Sequence, residues 1–431
     1  MFHALSLFTL LTFFAGPVMA QLKTDALLQQ VSSTNNDPLF RQVIDHPDTY
    51  RLQIIYTQIN RDKNNKPVFT DYHFHYDPEL YFNPASMIKM PLAFLALEKL
   101  NLMKIKGIDK NTPVQFESSQ PWQKPLYNDT TAADGMPTIA HLIKRALLIS
   151  ENDPYNRLYQ FVGQGNINKS LHQKGYTDVR ITRQFMGLTP EENRYTNAIR
   201  FIDKSGNLLY RQPPAYNSDS FDFSKIIKIG KAHYDRNDNL INEPFDFTQH
   251  NSLSLKSMQR MLQSVMFPES VPKSQRFQLS KDDYSFLHQY LSQYPSETPD
   301  PKYDAVKFYD SYVKFFFRDQ TRKMPNHIRV FNKVGWSYGF LTDVSYVVDF
   351  EKKIEFMLAA TIYVNSDDVL NDGKYEYESI GHPFLYQLGQ TIYQYEIQRN
   401  RVHTPNLSAF NIKYEKRDPD DTRRPLSEVD N

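Results

Sequence analysis

The chain has 431 residues, enough for one large two-lobed domain or for two domains. Its 50 basic and 49 acidic residues leave a formal net charge of +1, and this balance gives no electrostatic footprint for binding nucleic acid. The sequence contains no cysteine, which excludes disulfides, thiolate metal sites and lipid attachment at an N-terminal cysteine.

The first twenty residues have the pattern of a secretory signal peptide. The apolar run from Leu5 to Phe14 is too short to span a bilayer, and Gly16 and Pro17 then interrupt it. Val18-Met19-Ala20 follows and predicts cleavage after Ala20. Because a basic segment is missing before the apolar run, a buried N-terminal helix is the alternative. No later stretch reaches the roughly 20 apolar residues of a membrane span. We therefore expect a periplasmic or secreted protein with no stable membrane insertion after signal cleavage.

A polar leader precedes a predicted β-hairpin. Tyr50 to Gln58 and Pro67 to Phe74 are rich in β-branched and aromatic residues and are separated by a polar turn cluster. His73 and His75 lie two residues apart in the second strand with no clear third ligand, so we interpret them as strand-surface histidines and expect neither a metal nor a cofactor.

The next element is a helix opened by Asn83-Pro84-Ala85. Its apolar residues lie nearly all round the helix: Met87, Ile88, Met90, Leu92, Leu95, Leu97 and Leu100. A helix of this kind is expected to be central and buried.

The first turn of this helix carries Ser86 and Lys89 in an S-x-x-K pattern. A spacing of three places both side chains on one face, and a buried lysine with a depressed pKa is able to take the proton of a serine nucleophile. The same letters recur at Ser270 to Lys273 and at Ser311 to Lys314. Only the match at Ser86 is followed by the other two motifs in the right order.

The second motif is Ser150-Glu151-Asn152, which follows a predicted helix that Thr138 caps. A hydroxyl and an amide at this position are suited to relay a proton and to bind a substrate amide, although an ordinary helix end also favours these residue types. The third motif is Lys333-Val334-Gly335-Trp336 on a strand, where the lysine is able to hold an anionic substrate group. We expect Gly335 to let a substrate backbone approach the strand edge.

Strand-like runs at both ends of the chain surround a helical middle. Ile328 to Trp336, Ser345 to Phe350 and Ile354 to Val364 predict strands, and a helix from His382 to Gln398 follows them. The stretch from 104 to 325 reads as mainly helical. We therefore predict an α+β fold with an antiparallel sheet built from both chain ends, flanked by helices, and with an inserted helical lobe.

The three motifs together resemble the active-site set of serine β-lactamases and penicillin-binding proteins, most closely the class A β-lactamase branch. The resemblance covers roughly residues 37 to 400 and implies the β-lactamase/transpeptidase-like fold. It implies a sheet lobe over 37–85 and 325–400 and a helical lobe over 86–324. Residues 401–431 form a polar segment that we expect to be a solvated tail.

Transferred residue by residue, the resemblance implies Ser86 as the acylated nucleophile and Lys89 as its general base. Ser150 becomes a proton shuttle, Asn152 contacts the substrate amide and Lys333 anchors an anion. The backbone N–H groups of Ser86 and Trp336 become the oxyanion hole, beside Gly335.

The sequence departs from the family pattern in four respects. Val334 replaces the threonine that helps to bind the β-lactam carboxylate, and Glu151 replaces an aspartate. The deacylating glutamate is not securely placed: if Asn197 fills the role of the family's asparagine, the glutamate position holds Asn193, and Glu191 or Glu192 serves only in a differently built loop. The segment between the second and third motifs is also far longer than in compact β-lactamases.

These observations predict an exported serine hydrolase that forms an acyl-enzyme on Ser86, acting on a β-lactam, a cell-wall peptide or a related amide or ester. The expected partner is a small-molecule or peptidoglycan-like substrate, not a nucleic acid. A divergent β-lactamase that uses Glu191 or Glu192 is one alternative. The other is a non-catalytic binding protein that retains the penicillin-recognising fold.

Overall fold

The computed structural model describes residues 22–429. The predicted signal peptide and its cleavage position lie outside this range. No helix of the described part is long and apolar enough to cross a membrane. The α-helices are α1 (Ala26–Ser33), α2 (Pro38–Asp45), α3 (Lys89–Met103), α4 (Ile139–Leu148), α5 (Asn152–Val162), α6 (Gln164–Gln173), α7 (Leu255–Met266), α8 (Lys281–Ser292) and α9 (His382–Gln398).

The central element is a five-stranded antiparallel sheet with the strand order β10-β11-β12-β1-β2. Its strands are β1 (Gln53–Arg61), β2 (Pro67–Phe74), β10 (Ile328–Ser337), β11 (Phe340–Asp349) and β12 (Ile354–Tyr363). The pairing of β1 with β12, in which Ile54 lies opposite Ala360, joins the two ends of the chain. The predicted α+β architecture, with one sheet made from both chain ends, is confirmed.

The sheet is covered on both faces, which explains why β11 and β12 are buried at every position. Along β1, Ile55 and Ile59 belong to one core, whereas Ile54 and Tyr56 point into the other. Helices α7 and α8 cover the first face, and α9 with α1 and α2 covers the second. Because buried apolar residues pack on both faces, the sheet is a rigid base for the residues on its edge strand β10.

The N-terminal segment differs from the predicted polar leader. It forms α1 and α2, and the Asp37 carboxylate caps α2 by accepting from the backbone N–H groups of Leu39 and Phe40. Both helices pack on α9. His73 and His75 are also not surface residues: both are buried, and they hold this segment through Asp25 and Asp48 respectively. The alternation of polar and apolar residues along a strand does not show whether another segment of the chain covers the outer face of that strand.

The middle of the chain is less helical than predicted. It contains short strands of two to five residues: β3 (Val114–Glu117), β4 (Ala198–Ile202), β5 (Leu208–Gln212), β6 (Lys228–Ile229), β7 (Ala232–Tyr234), β8 (Leu240–Ile241) and β9 (Phe245–Asp246). These form small sheets, one of which is completed by β13 (Val369–Leu370). Strands this short carry too few residues to show a period of two.

The C-terminal segment, expected to be a solvated tail, instead lies against the protein as far as it is described. Phe410 is buried among the aromatic rings of Phe331 and Tyr346. Further on, the Arg417 guanidinium donates to three backbone carbonyls, including that of Tyr303 at 2.8 Å. The charged residues of this segment make hydrogen bonds to the body of the protein. Composition alone does not distinguish such residues from residues that are hydrated by solvent.

Candidate active site

Ser86 lies in a strained turn at the entrance to α3. The chain forms a 3-10 turn over Ala85–Ile88 and becomes α-helical at Lys89, later than the sequence predicts. Ala85 has a φ of +43°, which is uncommon for a residue with a side chain, and its N–H donates to Asn83 Oδ1 at 3.2 Å. This turn presents Ser86 to a cavity of about 450 Å³. The cavity lies within the size range of small-molecule sites.

Gly335 fits the strand β10 closely against this turn. A Cβ at this position would lie 2.4 Å from Pro84 O and 3.0 Å from the backbone nitrogen of Met87. The glycine therefore admits the turn that carries the serine, whereas we had expected it to admit a substrate backbone. Trp336, the next residue, lines the cavity together with Ser86.

Lys89 lies fully buried beneath the cavity. Its ammonium donates to the carbonyl of Ser150 and, at 2.7 Å, to Asn152 Oδ1. Burial, and then the nearby charge of Lys333, hold the pKa of Lys89 well below its ordinary value, although Glu151 acts in the opposite direction. Within residues 22–429 no hydrogen bond joins Lys89 to Ser86 Oγ, and the contacts of the amine are with the second motif.

Ser150 connects the two lysines of the site. It follows α4, which Thr138 caps as predicted, and it has a φ of +71°. Its Oγ accepts from Lys333 Nζ at 2.8 Å and lies 3.4 Å from Lys89 Nζ. Burial lowers the pKa of Lys333 to about 7, with Asp343 acting in the opposite direction. One hydroxyl thus lies between two amines that are both easily deprotonated, an arrangement able to move a proton.

Glu151, the middle residue of the second motif, points away from the cavity into a buried ion pair. Its carboxylate accepts from Arg145 Nε at 3.0 Å and from the Tyr303 hydroxyl at 2.7 Å. This ion pair orients the loop of the second motif. Ser150 and Asn152, the residues before and after Glu151, both line the cavity. Arg145 and Tyr303 were not recognised from the sequence, since no local pattern links them to the motif.

The structure does not bring the two candidate deacylating glutamates into the cavity. Glu191 is exposed and lies 3.7 Å from Arg194, and Glu192 accepts from the N–H of Thr189 at 2.7 Å. Asn193 also has a local role, because its Oδ1 accepts from the backbone N–H of Gln184 at 2.7 Å.

Asn197, the predicted counterpart of the family's asparagine, is buried beneath the same loop. Its Nδ2 donates to Lys124 O at 3.4 Å. It does not line the cavity.

A neighbouring segment that the sequence did not single out lines the cavity instead. It consists of Arg183, Gln184, Phe185 and Met186. Asn156 on α5 holds this segment: its side chain accepts from Phe185 N at 2.8 Å and donates to Phe185 O at 3.3 Å. The Phe185 ring lies over Lys89, with the ammonium 5.1 Å from the ring centroid. An aromatic ring, not a carboxylate, therefore faces the buried amine.

Comparisons with known proteins agree with the motifs. Residues 51–212 match the model of the Beta-lactamase enzyme family, a segment that contains the first two motifs and ends before Lys333. No curated protein sequence is a significant match.

Several solved structures resemble the chain at low sequence identity. A β-lactamase from Francisella tularensis has 14% identity and a TM-score of 0.46, with 85% of this chain and 100% of that chain covered. A variant of PBP-A, solved as an acyl-enzyme complex with penicillin G, has 12% identity and a TM-score of 0.45, covering 85% and 96% respectively. A β-lactamase from Sphaerobacter thermophilus DSM 20745 has 12% identity and a TM-score of 0.44, covering 84% and 97%. The match over residues 51–212 agrees with the resemblance inferred from the motifs, and this segment of the chain is similar to the β-lactamase enzyme family.

Proposed function

We propose that this protein is an acyl-serine hydrolase in which Ser86 forms the acyl-enzyme. The observation that carries the proposal is the position of Ser86 in a cavity whose floor holds Lys89, a fully buried amine with a depressed pKa. A neutral amine at this place is a base, and a serine hydroxyl becomes a good nucleophile only when a base takes its proton.

Ser150 provides the proton route. Its hydroxyl contacts both Lys89 and Lys333, so a proton leaving Ser86 is able to pass to Lys89 and return through Ser150 to the leaving group. Ser86 and Trp336 line the same cavity, and their backbone N–H groups are the proposed oxyanion donors. In this scheme Asn152, which also accepts from Lys89, orients the amine and the substrate amide.

We further propose that the acyl-enzyme is long-lived. No aspartate or glutamate is among the residues that line the cavity in the described part of the chain. The Phe185 ring, whose centroid lies 5.1 Å from Lys89 Nζ, is an apolar group that cannot activate water. Slow hydrolysis, or transfer of the acyl group to an amine, fits this surface better than the fast turnover of a β-lactamase. The substrate class is a β-lactam, a cell-wall peptide or a related amide or ester.

The second candidate function is a binding protein without turnover. The observation that favours it is the lack of a hydrogen bond between Ser86 and Lys89 in residues 22–429. Hydrogen bonds of catalytic groups are often long before substrate binds, so this observation weighs less than the buried amine.

Export and a periplasmic or secreted location remain proposals from the leader sequence alone.

The test is the intact mass of the mature protein after incubation with benzylpenicillin, beside the Ser86→Ala and Lys89→Ala variants. We expect an adduct of the mass of the whole β-lactam on the wild-type protein, stable for minutes or longer, and none on either variant. Released product without a standing adduct would contradict the long-lived acyl-enzyme. If neither an adduct nor a product forms, and a fluorophosphonate probe also spares Ser86, the binding protein is the correct reading.

A further inference from the structure

The lining of the cavity carries a single charge. Among the fourteen described residues that line it, Arg183 is the only one that is charged at neutral pH. Lys89 and Lys333 do not line the cavity, and the carboxylates of Glu151 and Asp343 act on them with the opposite sign. A cavity lined by one sign of charge concentrates ligands of the opposite sign.

Arg183 has no acidic partner within residues 22–429. None of the ion pairs there includes it, and its one side-chain hydrogen bond goes from Nη1 to Nε2 of His250. Burial and the adjacent guanidinium lower the pKa of His250 to about 3, so the imidazole is neutral and accepts from the arginine. A guanidinium has five N–H donors, and this contact uses one of them.

The remaining donors of Arg183 are accessible. Other arginines of the chain, such as Arg51 and Arg180, bury an Nε that has no partner, whereas no nitrogen of Arg183 is both buried and unpartnered. The backbone of Arg183 is fixed: its N–H donates to Asn251 Oδ1 at 3.0 Å and its carbonyl accepts from Asn251 Nδ2 at 3.3 Å. The guanidinium is therefore held in place without being neutralised, as a preformed anion site requires.

An aromatic wall stands beside the guanidinium. The ring of Tyr338, which lines the cavity, lies 5.3 Å from Phe247 and 6.0 Å from His250. Phe245 packs against the same rings. Such a wall excludes water and strengthens an ion pair formed next to it.

We propose that Arg183 is the carboxylate-binding residue of the substrate site, and that the protein selects acyl donors carrying a free carboxylate. This inference rests on the proposed acyl-serine function and names its substrate class. The residue lies on the segment after α6, and not in the Lys333-Val334-Gly335 motif. Val334 offers no hydroxyl to an anion, so the proposed anchor is Arg183, which lines the same cavity from a different segment of the chain.

The test uses two matched pairs of acyl donors. One pair is benzylpenicillin and its methyl ester, which differ by a carboxylate on the leaving-group side. The other is p-nitrophenyl hemiglutarate and p-nitrophenyl methyl glutarate, which differ by a carboxylate on the acyl side. Acylation rate constants of Ser86 are compared in the wild-type protein and in the Arg183→Gln, Arg183→Lys and Arg236→Gln variants. Arg236 is an exposed cation close to this region that does not line the cavity, so it controls for the general positive field.

We expect the wild-type protein to prefer the carboxylate-bearing member of at least one pair by about 10- to 100-fold. Arg183→Gln removes this preference, because the rate with the carboxylate-bearing member falls about 10-fold or more further than the rate with the neutral member, whereas Arg183→Lys retains part of the preference and Arg236→Gln retains it all. An unchanged preference in Arg183→Gln overturns the inference. Equal loss of both rates also overturns it, because Arg183 then only supports the loop.

A binding measurement separates this inference from the proposed function. The Ser86→Ala variant cannot be acylated, so calorimetric titration with benzylpenicillin and its methyl ester measures recognition alone. Tighter binding of the free acid, lost in the Ser86→Ala/Arg183→Gln double variant, supports the anion site even if the wild-type protein forms no acyl-enzyme. Equal affinities for the two compounds contradict the anion site even if acylation proceeds.

Discussion

Three lysines of this protein follow a serine by three residues, and the structure buries two of them, Lys89 and Lys314. Lys89, after Ser86, lies under the cavity. Lys314, after Ser311, lies between α8 and the sheet, where its ammonium donates to Leu291 O at 2.8 Å, to Val330 O at 2.9 Å and to Asn332 Oδ1 at 2.6 Å. Burial lowers the pKa of both, that of Lys314 to about 7.

The difference lies in what surrounds the serine. Ser86 lines a cavity that a substrate is able to enter, whereas Ser311 is fully buried and its hydroxyl has no protein partner among the described residues. The acceptors of Lys89 belong to residues that line the cavity, whereas those of Lys314 are enclosed in the core. A buried lysine with a low pKa is therefore not by itself evidence of catalysis. Access of a substrate to the neighbouring hydroxyl decides which pair is able to react.

Exchanging each lysine for methionine tests this comparison most strongly. We expect Lys89→Met to reduce acylation of Ser86 more than about 10³-fold with little change in stability, because the acceptors it abandons face the cavity and can be hydrated. We expect Lys314→Met to lower the free energy of unfolding by about 2–4 kcal/mol, because its acceptors become unpaired in the core. Acylation kinetics and urea unfolding of both variants measure the two effects. A large loss of acylation per folded molecule in Lys314→Met would break the comparison.

The ring of Phe185 lies over Lys89, whereas Lys314 has no such aromatic contact among the described residues. We expect Phe185→Glu to shorten the lifetime of the acyl-enzyme by about 10²-fold, because a carboxylate there becomes a general base for water. Phe185→Leu is the matched control and should keep the long lifetime. The decay of the adduct by intact mass reports the result, and an equal lifetime in the two variants would show that the missing carboxylate is not the cause of slow deacylation.

Changing each of the two serines to alanine is expected to affect stability less than changing the lysines, and Ser311→Ala in the opposite direction to Lys314→Met. Ser311→Ala removes a buried hydroxyl without a protein partner, so we expect the free energy of unfolding to rise by about 1 kcal/mol, with unchanged acylation. Thermal unfolding of Ser311→Ala beside Ser86→Ala measures this. A loss of stability in Ser311→Ala would mean that its hydroxyl is satisfied in solution, and the enclosed pair would then be less dry than the structure indicates.

The smallest effect is the dependence on pH. Lys333 has a pKa lowered to about 7, so its positive charge is present below that pH and is lost above it. Between pH 6 and pH 8 we expect acylation by a carboxylate-bearing donor to fall several-fold, about the effect of losing one charge next to the cavity, and acylation by its neutral partner to stay level.

The lysine in the core should affect stability and not acylation over a related range. An unfolded lysine keeps its proton to about 10.5, whereas folded Lys314 loses it near 7, so the stability it contributes rises with pH between these values. Denaturation of the wild-type protein and of Lys314→Met at pH 7 and pH 9 tests this sign. A wild-type stability that falls relative to the variant over that range would contradict it.

Much of the fold could be predicted from the sequence alone. Local patterns predict three features where the structure has them: the strand Pro67–Phe74, the helix His382–Gln398 and the N-cap Thr138. Neighbouring residues are sufficient to encode a period, a cap or a turn. The order of the three motifs was sufficient to indicate the family and the fold. The same order favours Ser86 over the match at Ser311, and the structure encloses Ser311 in the core.

The tertiary structure decided the surroundings of the site. Tyr303 contacts Glu151, the ring of Phe185 covers Lys89, and Arg183 lines the cavity without an acidic partner among residues 22–429, although no local pattern marks any of these residues. The packing of the segment after residue 400 against the body of the protein is likewise not marked by any local pattern. Such contacts join residues far apart along the chain, and their energy depends on burial and on the exact partner, neither of which a single sequence records.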